Sequence, residues 1–123
     1  DLDDFKLYND IYGHDMGDQV LCIVADVIKN CIRKIDKLIR YGGGTLRGKL
    51  LQIQEAIENA TIPNCSRLKL TASIGGVISE DGQIDEAIAK ADQLMYKAKD
   101  HKAQVITECD KTIFKKFRIN LKF

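Results

Sequence analysis

The chain has 123 residues, of which 45% are hydrophobic and 30% charged, a composition typical of one globular domain. Its formal net charge is +1, whereas nucleic-acid-binding domains usually carry a clear positive excess, so we expect no nucleic-acid partner. The apolar runs are too short for a transmembrane helix. The four cysteines lack zinc-ligand spacing, and we expect buried free thiols at Cys22 and Cys31, which suits a reducing cytoplasm.

The first half of the chain is predicted to be mainly helical. Its pattern predicts, in order, a loop over residues 1–18, a helix over 19–32, a short strand over 35–41, a glycine turn at 42–44 and a helix over 46–59. The first helix is the clearest, because its apolar residues recur at steps of three and four, and Asp18 is its expected N-cap.

The second half is predicted to alternate strands and helices. Its pattern predicts a strand over residues 68–78, a turn at 80–82, a helix over 85–101, a strand over 104–107, and a basic tail or edge strand over 108–123. The pair Gly75-Gly76 indicates a bulge or a close neighbour. This order of elements predicts an α/β domain in which helices cover a small sheet.

The beginning of the chain is rich in aspartate. Residues 1–18 contain a single lysine and six aspartates, at positions 1, 3, 4, 10, 15 and 18. Clustered carboxylates favour a divalent cation, which prefers oxygen ligands. A solvated acidic loop without a ligand is the alternative, and composition alone favours it.

The same eighteen residues fit a motif with fixed spacing, D-[IL]-D-x-F-K-x-x-N-D-x-x-G-H-x-x-G-D. Eleven positions match: Asp1, Leu2, Asp3, Phe5, Lys6, Asn9, Asp10, Gly13, His14, Gly17 and Asp18. The pattern resembles the opening signature of GGDEF domains, the diguanylate cyclases. The resemblance continues at residues 40–43, 70–75 and 91–99, so residues 1–107 are interpreted as the GGDEF domain and 108–123 as its tail.

The resemblance implies a fold and a reaction. The implied fold is the ferredoxin-like palm of nucleotidyl cyclases, α/β (α+β), with an antiparallel-containing central sheet flanked by helices. The implied reaction joins two GTP molecules into cyclic di-GMP in a homodimer, with Mg²⁺ or Mn²⁺ as the cofactor. Such domains are cytoplasmic and follow an upstream sensor domain, in a protein that can be membrane-attached.

The resemblance also implies roles for single residues. Asp1 and Lys6 would be catalytic, and the Asp1 carboxylate with the Leu2 carbonyl would hold the metal. The implied substrate-binding residues are Phe5, Lys6, Asn9, His14, Asp18 and Lys99. Among these, the lysines would contact phosphates, Asn9 and Asp18 would read the guanine edge, and His14 would support the nucleotide loop.

Two further sets of residues complete the implied site. Arg33 and Asp36, in the pattern R-x-x-D, would form the inhibitory site that binds the product. Asp3 and Asp10 are expected to brace loops rather than touch metal.

The sequence departs from the family where the name motif should end. Gly42-Gly43 is followed by Gly44-Thr45-Leu46, so the acidic residue that would be the second metal ligand is absent. About a dozen residues that would form a central strand are also missing, as are the strand and helix expected before Asp1.

Three hypotheses follow from this departure. The sequence could be an incomplete piece of an active cyclase. It could instead be a degenerate domain that binds cyclic di-GMP or GTP without turnover, or a dimerisation domain that binds no nucleotide.

Overall fold

The computed structural model describes residues 1–42, 45–79 and 82–108, without the side chains of residues 34–42. Predictions for Gly43-Gly44, residues 80–81, the tail 109–123 and the Asp36 side chain therefore lie outside the described residues. The elements are α1 (Phe5–Tyr12), α2 (His14–Gly42), α3 (Leu46–Glu58), β1 (Ile74–Gly76), α4 (Ile84–Lys99) and β2 (Val105–Thr107). None of the helices within the described ranges is long and apolar enough to cross a membrane.

The two strands form a small sheet flanked by helices, which confirms the α/β class. The prediction of an antiparallel-containing sheet is wrong for these strands, because β1 and β2 pair in parallel, with Ile74 opposite Val105 and Gly76 opposite Thr107. Parallel strands need a crossover, and α4 provides it. Antiparallel pairing among the described residues is limited to the isolated bridge between Leu2 and Ala72.

The core lies between the sheet, α2 and α3. Helix α2 contributes Val20, Val24 and Ile28, each one turn apart, and α3 contributes Leu46, Leu50, Ile53 and Ile57 at steps of three and four. This spacing places the apolar residues of each helix on one face. Helix α3 also contacts the segment that precedes β1, since the buried Gln54 amide donates a hydrogen bond to the Ala72 carbonyl at 3.2 Å.

Helix α2 is much longer than predicted. It begins at His14 and continues through residues 35–41, where a strand was predicted, so Asp18 lies inside the helix and is not its N-cap. Ile35, Leu38 and Ile39 in fact follow helical spacing, and no proline interrupts it before the glycines. Cys22 on this helix is exposed, so its predicted burial is wrong.

Helix α1 replaces part of the predicted loop. Phe5, Tyr8 and Tyr12 recur at helical steps, but the aspartates around them obscured the pattern. Gly13 ends the helix with a φ of 89°, a left-handed conformation that favours glycine, and its N–H donates to the Asn9 carbonyl at 2.9 Å.

The remaining boundaries are closer to prediction. Helices α3 and α4 and strand β2 begin and end within two residues of their predicted positions. Thr45 is the N-cap of α3, since its hydroxyl accepts from the Gly48 N–H at 3.0 Å. The strand predicted over 68–78 is reduced to residues 74–76, although the alternating residues Leu68, Leu70 and Ala72 are buried.

Candidate active site

The first feature of the site is an ion pair between the two ends of the matched motif region. The Lys99 ammonium, at the last residue of α4, lies 2.8 Å from the Asp1 carboxylate. Asp1 is held by backbone hydrogen bonds, since its nitrogen donates to the Ser73 carbonyl at 3.0 Å and its carbonyl accepts from the Ser73 N–H at 2.9 Å. The two side chains are 40% and 35% exposed for Asp1 and Lys99, so the pair is open to solvent.

Next to this pair, the buried carboxylate of Asp3 joins three segments of the chain. It accepts hydrogen bonds from the Thr71 hydroxyl at 2.8 Å, the Ser73 hydroxyl at 2.6 Å and the Ala103 N–H at 2.9 Å. Asp3 is 4% exposed and Ser73 is fully buried. We call these four residues the Asp3 clamp. It shows that Asp3 braces loops, as expected.

The clamp also keeps Asp3 ionised. Burial raises the pKa of Asp3, but the hydrogen bonds from Ser73, Ala103 and Thr71, together with the nearby Lys99 charge, outweigh it and hold the pKa below its ordinary value. A buried carboxylate that accepts three hydrogen bonds is a stable anion, so it acts as a fixed support rather than a proton donor.

A second, exposed pair lies beside the clamp and was missed in the sequence. The Lys102 ammonium donates to both Asp4 carboxylate oxygens, at 2.8 and 3.0 Å, and this bond raises the pKa of Lys102. Asp4, Lys102 and Ala103 all have left-handed backbones, with φ of 57°, 51° and 49°. None is a glycine, so the sequence carried no signal for this geometry.

The phosphate end predicted from the motif lies at the start of α1. Lys6 is exposed in the first turn, and Phe5 is half-buried against the core. Asp4 occupies the N-cap position but makes no side-chain cap hydrogen bond there, so it does not cover the first amides of the helix. Leu2 is buried through its bridge to Ala72.

The residues predicted to recognise guanine lie where α1 meets α2. The side-chain oxygen of Asn9 is buried and has no hydrogen-bond partner among the described residues. It packs on Gly17, where any Cβ would collide with the Asn9 amide, so the spacing of Asn9 and Gly17 in the motif has a steric cause. Asp18 follows directly and is exposed on α2, and His14 is exposed at the beginning of the same helix.

Arg33, one of the two residues of the predicted inhibitory site, lies well apart from Asp18. It is exposed on α2, fifteen residues after Asp18, which corresponds to about 22 Å along the helix axis.

The donor set for a metal ion is small. The described residues contain no group of three or more His, Cys, Asp or Glu side chains that could hold one. The Asp1 carboxylate with the Leu2 carbonyl nevertheless fits Mg²⁺, which is often held by one or two carboxylates together with substrate phosphates. These hard oxygen donors match the expected cation, provided that the nucleotide supplies further ligands.

The chain is similar in sequence to known proteins. The model of the family described as "Diguanylate cyclase, GGDEF domain" matches residues 1–104. The chain is 36% identical over 110 residues to diguanylate cyclase DgcM of Escherichia coli K12, covering 80% of this chain and 27% of that protein. It is 32% identical over 123 residues to diguanylate cyclase A of Treponema denticola, covering 87% of this chain and 33% of that protein.

These matches also define how much of each relative the chain represents. It spans about a quarter to a third of their length. The match with DgcM is 110 residues long, but it includes only 80% of this chain, which is about 98 residues. About a dozen residues of DgcM therefore have no counterpart in this chain. Since the family match extends over well more than half of the chain and includes the whole motif from Asp1 to Asp18, the chain belongs to the GGDEF-domain family of diguanylate cyclases.

Proposed function

We propose that this chain is the catalytic domain of a diguanylate cyclase, which joins two GTP molecules into cyclic di-GMP and releases pyrophosphate. The observation that carries the proposal is the meeting of the Asp1 carboxylate and the Lys99 ammonium at 2.8 Å, beside the beginning of α1. A carboxylate suits a divalent cation and an ammonium suits a phosphate, and a nucleoside triphosphate brings both into one site.

The residues at the start of α1 bind the phosphates in this proposal. The exposed Lys6 ammonium contributes a positive charge, and the first amides of α1, from Phe5 onward, point away from the helix toward the phosphate oxygens. Lys99 contacts the triphosphate from the end of α4. Together these groups hold the triphosphate and balance its negative charge, which is the main requirement of phosphoryl transfer.

Asn9 and Asp18 recognise the base. The Asn9 amide carries a donor and an acceptor, and the exposed Asp18 carboxylate is an acceptor, whereas the guanine edge presents an acceptor at O6 and N–H donors at N1 and N2. Adenine lacks this pair of donors, so the same two residues discriminate against ATP. His14, at the beginning of α2, supports the junction at Gly13 between the two helices.

Mg²⁺ or Mn²⁺ would be held by the Asp1 carboxylate and the Leu2 carbonyl, and would neutralise charge that develops on the phosphates. The protein's own residues orient the GTP so that its 3′-hydroxyl and its α-phosphate face a second molecule of GTP. Because each domain holds one GTP, the reaction requires a homodimer.

The setting of the domain follows from its substrate and from its relatives. GTP is a cytoplasmic nucleotide, so the domain functions in the cytoplasm. The relatives are about three times as long as this chain, which supports an upstream sensor domain in a longer protein.

A turnover assay tests the proposal. The protein is incubated with GTP and Mg²⁺, and cyclic di-GMP is measured by chromatography and mass spectrometry. Asp1→Ala should lower the rate about a hundredfold or more, because it removes the metal carboxylate. Asp85→Ala, which removes an exposed carboxylate from the first turn of α4, is the matched control and should leave the rate unchanged. GTP binding without any product would contradict the cyclase.

One observation favours a second function, a receptor that binds cyclic di-GMP without turnover. Gly44 occupies the motif position at which the family has its second acidic ligand. In a receptor, the guanidinium of Arg33 and the carboxylate of Asp36 would bind the dinucleotide. Calorimetry decides this. Cyclic di-GMP binding that is lost in Arg33→Ala but kept in Lys29→Ala, without turnover, identifies the receptor, and absence of all nucleotide binding contradicts both the cyclase and the receptor.

A further inference from the structure

The Asp1–Lys99 pair is the one contact between two candidate site residues of opposite charge in the described part of the chain. The atoms are 2.8 Å apart, yet both side chains keep more than a third of their surface exposed. An exposed ion pair contributes little free energy and opens readily. A cation or an anion from solution can therefore compete for either partner.

Each end of the pair is held in place independently of the pair itself. Asp1 is paired through its backbone with Ser73. Helix α4 packs so closely on β1 that a Cβ at Gly75 would collide with the Ala91 carbonyl and the Met95 nitrogen. Opening the ion pair thus leaves the backbone of both segments where it is, and the two charged groups stay available at one place.

The charges of Asp1 and Lys99 determine which ions can bind in place of their ion pair. A divalent cation alone would meet the Asp1 carboxylate and the adjacent Lys99 ammonium, which repels it. The neighbouring Asp3 carboxylate is committed to its three hydrogen bonds, and the described residues provide no group of three or more acidic, His or Cys side chains to hold the ion. A cation that arrives with a triphosphate gives Lys99 a new anionic partner at the same time. Metal and nucleotide are therefore expected to bind as one unit.

We propose that Lys99 is the exchangeable counter-ion of the Asp1 carboxylate, which suppresses metal binding in the free protein and transfers to the nucleotide phosphates when the metal–nucleotide complex enters. The inference rests on the proposed function for its nucleotide step. It makes Lys99 the residue that couples metal affinity to nucleotide affinity, and such coupling is reciprocal.

Direct Mn²⁺ binding, measured by electron paramagnetic resonance of the free ion, tests the inference without turnover. In the absence of nucleotide, Lys99→Met should bind Mn²⁺ about three- to tenfold more tightly than the wild type, because the competing ammonium is gone. Lys99→Arg keeps the positive charge and should resemble the wild type. Raising the salt concentration should bring the wild type closer to Lys99→Met, since salt screens the exposed pair.

Lys90→Met is the matched control. It removes a lysine from the same helix, whose ammonium lies 3.8 Å from the Glu108 carboxylate in another exposed pair. It should leave Mn²⁺ affinity unchanged. A gain in Lys90→Met equal to that in Lys99→Met would show a general effect of net charge and would overturn the exchange.

A second measurement adds the non-reacting analogue guanosine 5′-(α,β-methylene)triphosphate. The analogue should strengthen Mn²⁺ binding strongly in the wild type and several-fold less in Lys99→Met. Equal Mn²⁺ affinities of the wild type and Lys99→Met without nucleotide, or an unchanged effect of the analogue, would overturn the inference. If the analogue does not bind at all, the proposed function fails, whereas the comparison without nucleotide still tests the counter-ion.

Discussion

The carboxylates of Asp1 and Asp3 lie two residues apart but have opposite surroundings. Asp3 is 4% exposed and accepts three hydrogen bonds from fixed donors, whereas the Asp1 side chain is 40% exposed and contacts one flexible lysine. The difference teaches that two carboxylates of one short segment take separate tasks according to the donors that surround each of them. The buried carboxylate stabilises the fold, and the exposed one stays free to exchange its partner.

The largest expected effect comes from removing the buried carboxylate. Asp3→Ala leaves the Ser73 hydroxyl and the Ala103 N–H without their partner, and each unsatisfied buried group costs about 1–3 kcal/mol. We expect a loss of about 2–5 kcal/mol in the free energy of unfolding, measured by urea denaturation. Asp1→Ala, which removes the exposed carboxylate, should change the free energy of unfolding by less than about 1 kcal/mol. Equal losses in both variants would abolish the distinction.

The next effect concerns the two glycines of β1. One lies against backbone atoms and the other against a side chain, so the two positions should differ in how well they accept a methyl group. A Cβ at Gly75 would meet backbone atoms of α4, whereas one at Gly76 would meet the Leu50 side chain, which can adjust. Gly75→Ala should destabilise the fold by about 3 kcal/mol and Gly76→Ala by about 1–2 kcal/mol, both by urea denaturation. Because α4 carries Lys99, only Gly75→Ala should also change Mn²⁺ affinity. A larger loss for Gly76→Ala would contradict this description of the packing.

A smaller effect tests the ionised state of Asp3. Its folded pKa lies below the ordinary value of about 3.9, so ionised Asp3 stabilises the fold above that pH, and the stabilisation is lost as pH falls through the folded pKa. Between about pH 5 and 3, the free energy of unfolding should therefore fall more steeply in the wild type than in Asp3→Asn. Asp10→Asn removes an exposed carboxylate with the same change in charge and is the control. Parallel curves for the wild type and Asp3→Asn would contradict an ionised Asp3.

The sequence predicts the parts of this molecule that depend on local pattern. The apolar steps of Leu46, Leu50, Ile53 and Ile57 are enough to predict α3, and the alternation of Leu68, Leu70 and Ala72 is enough to predict which side is buried. The motif likewise gave the family without any knowledge of the fold.

The Asp3 clamp and the sheet direction depend on contacts that are distant in sequence. The partners of Asp3 lie 68, 70 and 100 residues away, so no window of the sequence contains them. The parallel pairing of β1 with β2 depends in the same way on where α4 packs. The strand predicted over 35–41 failed for a local reason, because its apolar residues also fit a helix and the helix continues there.

The smallest expected effect is on thermal stability at Lys102, where two substitutions distinguish the contribution of the ion pair from that of the backbone conformation. The Asp4–Lys102 pair is exposed and should stabilise the fold only slightly, while the left-handed backbone at Lys102, with a φ of 51°, opposes any side chain. Lys102→Ala loses the pair and keeps the unfavourable backbone, whereas Lys102→Gly loses the pair but relieves the backbone. The thermal midpoint should therefore be higher for Lys102→Gly than for Lys102→Ala, and added salt should reduce the difference between Lys102→Ala and the wild type. A midpoint for Lys102→Ala at or above that of Lys102→Gly would show that the backbone there is not under strain. Neither variant should change Mn²⁺ affinity, because Lys102 pairs with Asp4 and leaves the Asp1 carboxylate to Lys99.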